Sequence, residues 1–156
     1  MKRKLVLIHL FLAAAVCYGA AEQTPEQFLR NLYLHDHKPM SKPMIDFAKR
    51  ESLGKYFDAA LTDLFIKDAE CQQRTHEICN LDFDPIYDAQ DFDDKTTGLK
   101  ISKVKEEPAQ FAVTFTNIGT RTLIYTLKKT KEGWRISDIR YSKGESLKAI
   151  LSGKPG

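Results

Sequence analysis

The residues that could do chemistry in this sequence are concentrated in one acidic segment, residues 81–94. The segment reads LDFDPIYDAQDFDD and contains Asp82, Asp84, Asp88, Asp91, Asp93 and Asp94. Oxygen-rich loops bind hard cations, which raises the hypothesis of a calcium site. The spacing argues against an EF-hand, because with Asp82 as first ligand Ile86 and Tyr87 fall at the third-ligand and glycine positions. We therefore predict no metal and no cofactor.

The acidic segment also has a structural interpretation that needs no ligand. Asp82 and the pair Asp84-Pro85 are residue types that cap turns. The aromatic residues Phe83 and Phe92 would then anchor the segment to the core. Under this interpretation the aspartates shape the chain rather than hold an ion.

The cysteines Cys71 and Cys79 form a pair that an exported chain would oxidise. A continuous helix would separate residues eight apart by about 12 Å, whereas a disulfide requires Cα atoms roughly 4.4–6.8 Å apart. A disulfide therefore predicts that the helix ends between the two cysteines. Two free buried thiols remain an alternative, and a zinc site with His76 is weaker because one His and two Cys leave the ligand set incomplete.

No catalytic signature accompanies these residues. His35, His37 and His76 lack metal-ligand spacing and are predicted to lie at the surface or to cap helices. The sequence contains no GxSxG elbow, Walker loop, dinucleotide fingerprint or HExxH motif. We predict no catalytic residue from motifs alone.

The N-terminus has the order of a secretory leader. Basic residues Lys2 to Lys4 precede the apolar run Leu5 to Val16, and small residues lead to a predicted cleavage after Ala21. The run is shorter than the roughly 20 apolar residues of a membrane span. An N-terminal core helix is the alternative. Residues 1–21 are therefore predicted to be a signal peptide, and residues 22–156 one domain in the periplasm or secreted.

Cys17 raises the alternative of a lipid anchor at the end of the apolar run. Lipidation requires small residues before the cysteine, but the β-branched Val16 precedes it. A lipid anchor at Cys17 is therefore disfavoured.

The formal charge of the mature chain excludes one class of partner. The whole chain has 24 basic and 21 acidic residues, giving +3, and the leader contains three of the basic residues and no acid. Cleavage would therefore leave a formal charge of zero. Such a chain has no global field to attract nucleic acid, so we predict no nucleic-acid partner.

The positions of the apolar residues predict helices first. Thr24, Pro25 and Gln27 form a capping-box start. One face of this first helix is formed by Phe28, Leu29, Leu32 and Tyr33. A short helix is indicated by Met44, Ile45, Phe47 and Ala48, and a longer helix by the spacing of apolar residues from Tyr56 to Ala69. A last helix is indicated from Glu145 to Leu151. The polar stretch around Cys71 predicts fraying of the longer helix.

From Gly98 onward the period changes to two, which predicts about four antiparallel strands. Turns are expected at Asn117-Ile118-Gly119 and Lys131-Glu132-Gly133. The step of three from Ile136 to Ile139 predicts a bulge near Ser137-Asp138. Helices followed by a strand meander predict an α+β fold in which the helices cover one face of the sheet.

Three stretches of this sequence carry a family resemblance. The segments LDFDPIYDAQDF, GWRISDIRY and GESLKAIL resemble a family of bacterial exported proteins that is catalogued only as a domain of unknown function. The resemblance covers residues 24–151 and implies a nuclear transport factor 2-like (cystatin-like) fold, in which helices pack across a strongly curved sheet to form a cone with a pocket. It provides no catalytic residues. The family includes lipoproteins, from which this sequence departs at Val16-Cys17.

With the cone that the resemblance implies, we predict a non-enzymatic exported protein that binds a protein partner or a small ligand through the open end of the cone and the acidic segment. The candidate binding residues are Tyr87, Gln90, Asp91 and Asp93. One specific form is an immunity protein, which blocks an effector that attacks the cell wall. The alternative is a small enzyme or ligand carrier in which Asp91 is buried in an apolar pocket and works with Tyr87 or Tyr125 in proton transfer.

Overall fold

The computed structural model describes residues 22–34, 45–91 and 96–153. In these residues the elements are α1 (Pro25–Leu34), α2 (Arg50–Leu53), α3 (Ala59–Thr75), β1 (Thr97–Lys105), β2 (Ala109–Thr116), β3 (Thr120–Thr130), β4 (Gly133–Arg140) and α4 (Leu147–Leu151). The strands form one antiparallel sheet in the order β1-β2-β3-β4. The predicted α+β class and strand meander are confirmed.

Several sequence predictions fall on parts of the chain that are not described. The predicted leader with Cys17 and the predicted loop from His35 to Pro43 lie outside the described residues, as do Phe92 and Asp93. Within the described ranges, no helix combines the length and the apolar character that crossing a bilayer requires.

The sheet has the turns and the bulge that the sequence predicts. Strands β2 and β3 are joined by Asn117 to Gly119, and Ile118 takes a left-handed φ of 49° there. In the pairing of β3 with β4, Thr126 lies opposite Asp138 while Leu127 lies opposite Ile136. Ser137 is therefore the extra residue of a bulge, and its hydroxyl donates to the Thr126 carbonyl at 3.2 Å.

The core lies between the helices and one face of the sheet. Alternate residues of the strands are buried on this face: Phe111, Val113, Phe115, Leu123, Tyr125, Leu127, Ile136 and Ile139. Helices α1 and α3 contribute Phe28, Leu29, Leu32, Tyr33, Leu61 and Phe65 to the same cluster. The opposite face carries the hydroxyl pairs Thr114–Thr122 and Thr116–Thr120, at 2.9 and 3.2 Å. The sheet is therefore apolar toward the helices and polar on the other side.

Helix α1 begins as its sequence predicts. The Thr24 hydroxyl accepts from the Gln27 amide at 3.2 Å, and the Gln27 side chain accepts from the Thr24 amide at 3.0 Å. The preceding residues are fixed to the β3–β4 hairpin, because the Trp134 indole donates to the Gln23 carbonyl and Lys129 pairs with Glu22 at 2.6 Å. The capping box is confirmed.

The short helix predicted from Met44, Ile45, Phe47 and Ala48 begins later than predicted, and it ends before Gly54 as predicted. The Asp46 side chain accepts from the Ala48 amide at 3.1 Å, which makes a turn, and helix α2 begins only at Arg50. This local bond competes with a helix, as Asp side chains commonly do.

Helix α3 starts later and ends later than predicted. Tyr56 and Phe57 precede it, and Phe57 forms a single bridge with β4, where the Ile136 amide donates to the Tyr56 carbonyl at 2.7 Å. The Asp58 side chain then caps α3 by accepting from the Leu61 amide at 2.9 Å. The helix does not fray at Cys71 but continues to Thr75.

The end of α3 is fixed by a disulfide and by a buried carboxylate. His76 caps the helix in the left-handed conformation, with φ of 58°, and the chain reverses so that Cys71 and Cys79 form a disulfide with Cα atoms 6.2 Å apart. The side chain of Asp68 is buried and accepts from the Asn80 amide at 2.8 Å and from the Asn80 side chain at 3.1 Å. The predicted disulfide and the predicted helix end between its cysteines are confirmed.

Replacing both cysteines with serine should reduce the free energy of unfolding by about 2–3 kcal/mol, because the closed loop is short. Urea denaturation of the variant and of the oxidised parent measures the difference. The reduced parent is the control and should match the variant. A loss below about 0.5 kcal/mol, which is the size of an ordinary surface substitution, would show that the Asp68 contacts alone hold this loop.

Candidate functional site

The centre of the acidic segment is a compact turn, residues 84–89, which is called the DPIYD turn below. The Asp84 side chain accepts from the amides of Ile86 and Tyr87 at 2.8 and 3.1 Å. The backbone of Asp84 also bonds Ala89 and Asp88, each at 2.9 Å. The predicted turn at Asp84-Pro85 is confirmed, and its carboxylate acts as a local backbone cap.

Two tyrosine hydroxyls bond the DPIYD turn to the core, and a third tyrosine bonds one of them. Tyr33 of α1 donates to the Ile86 carbonyl at 3.0 Å, and Tyr141, directly after β4, donates to the Pro85 carbonyl at 3.2 Å. The hydroxyls of Tyr33 and Tyr125 are 2.7 Å apart. Because Tyr33 has one hydroxyl proton, which goes to Ile86, Tyr125 must donate to Tyr33. The turn is therefore bonded to a helix and to the C-terminal end of the sheet.

These hydroxyls stay protonated in the folded protein. Burial raises the pKa of Tyr33 and of Tyr141 well above the usual range, and burial also raises the pKa of Tyr125. The nearby Asp84 carboxylate raises all three pKa values further, though less than burial does. The arrangement suits neutral hydrogen-bond donors rather than proton shuttles that work near neutral pH.

Tyr87, a predicted binding residue, belongs to the core. Only 5% of its surface is exposed. Its ring lies edge-on to Tyr33 and to Phe115, with centroids 6.1 and 5.9 Å apart. Phe83, predicted to anchor the segment, packs on Tyr141 at 5.3 Å between centroids. These contacts fill the space under the turn with aromatic rings.

Gln90 and Asp91, two further predicted binding residues, are exposed. The Gln90 side chain donates to Asp82 at 3.3 Å, so Asp82 pairs across the turn instead of capping it. The proton-transfer alternative required Asp91 to be buried in an apolar pocket, whereas Asp91 is exposed. The fourth predicted residue, Asp93, lies outside the described residues.

Asp88 lies at the edge of this surface and is half-buried. Its carboxylate is 3.9 Å from the Arg121 guanidinium. Burial raises the pKa of Asp88, while Arg121 and Lys143 lower it. In the described ranges, no three His, Cys, Asp or Glu side chains lie close enough together to hold a metal ion.

Sequence reasoning missed Tyr33 and Tyr141 as the residues that position the segment. Both fall at apolar positions of their patterns and read as core residues. A signal was present, because a buried tyrosine needs a partner for its hydroxyl and a turn supplies carbonyls. The sequence did not show which turn would provide the carbonyls that accept from these tyrosines.

The comparisons with known proteins leave the chain without an assigned relative. No protein-family model matches it, and neither a curated protein nor a solved structure does.

Replacing Tyr33 with phenylalanine should reduce the free energy of unfolding by about 1–3 kcal/mol, because the Ile86 carbonyl and the Tyr125 hydroxyl both lose a buried partner. Urea denaturation measures the change. Tyr56→Phe is the matched control, since Tyr56 is half-buried and its hydroxyl makes no bond within the described residues. Equal losses in the two variants would contradict the role assigned to Tyr33.

The raised tyrosine pKa values predict instability in alkali. Above about pH 10 the unfolded chain releases tyrosine protons that the folded chain retains. The stabilisation is thus present below that pH and is lost as the pH rises, by about 1.4 kcal/mol per pH unit for each such tyrosine. Urea denaturation across this range measures the slope, which Tyr33→Phe should reduce by one tyrosine. An unchanged slope would show that Tyr33 ionises in the folded protein.

Proposed function

We propose that this chain is an exported, non-enzymatic protein that binds a protein partner through an acidic surface formed by Asp82, Gln90 and Asp91. One observation carries the proposal: the backbone of the DPIYD turn is held by buried hydrogen bonds, while these three flanking side chains are exposed. The partner would present basic side chains. Asp93 comes two residues after Asp91 in the sequence, and we include it in the proposed site.

A fixed turn favours binding for a physical reason. A flexible segment loses conformational entropy when it becomes ordered on binding, and this loss reduces affinity. A surface that is already ordered before binding loses less entropy on association. Exposed charges at the rim of an interface mainly speed encounter with an oppositely charged partner, and salt weakens this effect. The acidic surface combines a fixed backbone with exposed charges.

The arrangement of the tyrosines favours binding over catalysis. The hydroxyls of Tyr33, Tyr125 and Tyr141 are directed at carbonyls or at one another, and the Asp84 side chain bonds two amides. A general acid or base needs a polar atom within reach of substrate. These groups are instead engaged in holding the turn.

We also propose a location and a shape for the mature chain. The disulfide fits a protein outside the cytoplasm, where such bonds persist, and we place the mature chain in the periplasm or outside the cell after cleavage near Ala21. We further propose that the sheet and helices form a nuclear transport factor 2-like cone. The specific form of the function is immunity, in which the acidic surface blocks a cell-wall-degrading effector encoded beside this gene.

The test is a binding measurement between the purified mature protein and the secreted cell-wall hydrolase encoded by the adjacent gene. The parent pair should co-elute. The double variant Asp82→Lys, Asp91→Lys should bind roughly ten- to a hundredfold more weakly, since two favourable charges become repulsive. Added salt should weaken the parent complex as well.

The control is Glu51→Lys, Glu70→Lys, which makes the same charge change at exposed helix positions outside the acidic segment. It should bind like the parent, and both double variants should keep the parent's unfolding midpoint. Separate elution of the parent pair, or the absence of such a neighbouring gene, removes the immunity form. Equal weakening by both double variants would show that net charge rather than the acidic surface controls binding.

A further inference from the structure

The tip of the β2–β3 hairpin places an apolar residue in an unfavourable backbone conformation. Ile118 is β-branched and has a left-handed φ of 49°. In this conformation the Cβ atom of an L-residue lies too close to a neighbouring carbonyl, and β-branched residues adopt it least readily. Glycine and asparagine tolerate it. Ile118 therefore reduces the stability of the hairpin relative to either of these residues.

Contacts with the core do not offset this cost. Ile118 is 66% exposed. Among the described residues, it belongs neither to the buried cluster nor to the partly buried residues that pack on it. A single exposed apolar residue needs no explanation by itself. One that also strains the backbone does, because such strain is concentrated at functional sites. Ile118 is therefore a candidate for contact with another molecule.

Neighbouring residues hold the strained tip in place. The amide of Asn117 donates to the Gly119 carbonyl at 3.0 Å. The side chain of Asn117 donates to the Thr96 hydroxyl at 3.4 Å, and the residue as a whole is buried. The hairpin tip is thus bonded to the segment that leads into β1. Ile118 extends from an ordered backbone, which reduces the conformational entropy that binding would cost.

Arg121 connects the tip to the DPIYD turn. A Cβ atom at Gly119 would lie 3.2 Å from Arg121 Nη1, so this guanidinium packs against the tip. The Nε atom of the same guanidinium is 3.9 Å from the Asp88 carboxylate. Asp88 belongs to the DPIYD turn and lies at the edge of the acidic surface. The tip that carries Ile118 therefore lies beside that surface.

We propose that Ile118 is the apolar anchor of the interface to which the acidic surface belongs. The inference rests on the proposed function and adds the chemistry of the partner. That partner is a protein with an apolar pocket bordered by basic side chains. On association the Ile118 side chain enters the pocket, and Asp82 and Asp91 pair with the basic side chains around it.

The division of roles follows from how interfaces gain affinity. A few side chains that fill well-packed pockets account for most of the binding energy, whereas exposed charges at the rim mainly affect the rate of encounter and specificity. The acidic surface, formed by Asp82, Gln90 and Asp91, consists of polar side chains only. Ile118 supplies the apolar contact that these residues lack.

The experiment measures binding of the mature protein to the secreted cell-wall hydrolase encoded by the adjacent gene. Ile118→Asn and Ile118→Gly should each weaken binding about tenfold to a hundredfold, as expected for losing one buried aliphatic side chain. Both variants should also raise the unfolding midpoint of the unbound protein, because they relieve the left-handed strain. The salt dependence of binding should stay that of the parent, since no charge changes.

Val104→Asn is the matched control. Val104 is also β-branched and is 56% exposed, and it lies near the end of β1 that is paired with the start of β2, at the opposite end of the sheet from the hairpin tip. This variant should bind like the parent and should not raise the unfolding midpoint.

Parent-like binding by both Ile118 variants would overturn the inference while leaving the acidic surface in place. Equal weakening by Ile118→Asn and Val104→Asn would overturn it as well, and so would a lower unfolding midpoint in both Ile118 variants. If Ile118→Asn weakens binding but the double variant Asp82→Lys, Asp91→Lys does not, the anchor stands and the acidic surface fails. Absence of binding by the parent would overturn the inference together with the immunity form of the proposed function.

Discussion

The hydrogen bonds of three buried tyrosine hydroxyls are the constraint on which the rest of the structure depends. Tyr33, Tyr125 and Tyr141 lie in a core that is otherwise aromatic and aliphatic, where an unpaired hydroxyl is costly. The carbonyls of Ile86 and Pro85 accept from Tyr33 and Tyr141, and the Tyr33 hydroxyl accepts from Tyr125. A turn that would otherwise be a surface loop is therefore bonded to α1 and to the end of the sheet. The same bonds fix the backbone from which Gln90 and Asp91 extend into solvent.

Patterns that repeat along the chain made most of the fold predictable. The period of two gave the strands, the step from Ile136 to Ile139 gave the bulge at Ser137, and the capping box gave the start of α1. Predictions failed where a single side chain competed with the pattern. The turn at Asp46 delays the start of the predicted short helix to Arg50, and backbone pairing with Ile136 keeps Phe57 out of α3. Such contacts between distant segments leave no periodic trace.

The candidate site was only partly predictable for a related reason. The pair Asp84-Pro85 predicts a turn, because an Asp side chain bonds nearby backbone amides, and the structure has that turn. Whether Tyr87 or Asp91 faces the interior depends on how the turn is oriented against the sheet, and residues far away in sequence decide that.

The two edges of the sheet end in different ways. Along β4 the backbone of Tyr56 and Asp58 bonds Ile136, so another chain cannot add there without displacing it. No described strand pairs with the outer edge of β1, whose nine residues include Lys100, Lys103 and Lys105. Closely spaced ammonium groups repel a second copy of the same edge. These lysines therefore disfavour growth of the sheet from one copy to the next, which is the first step of fibre formation.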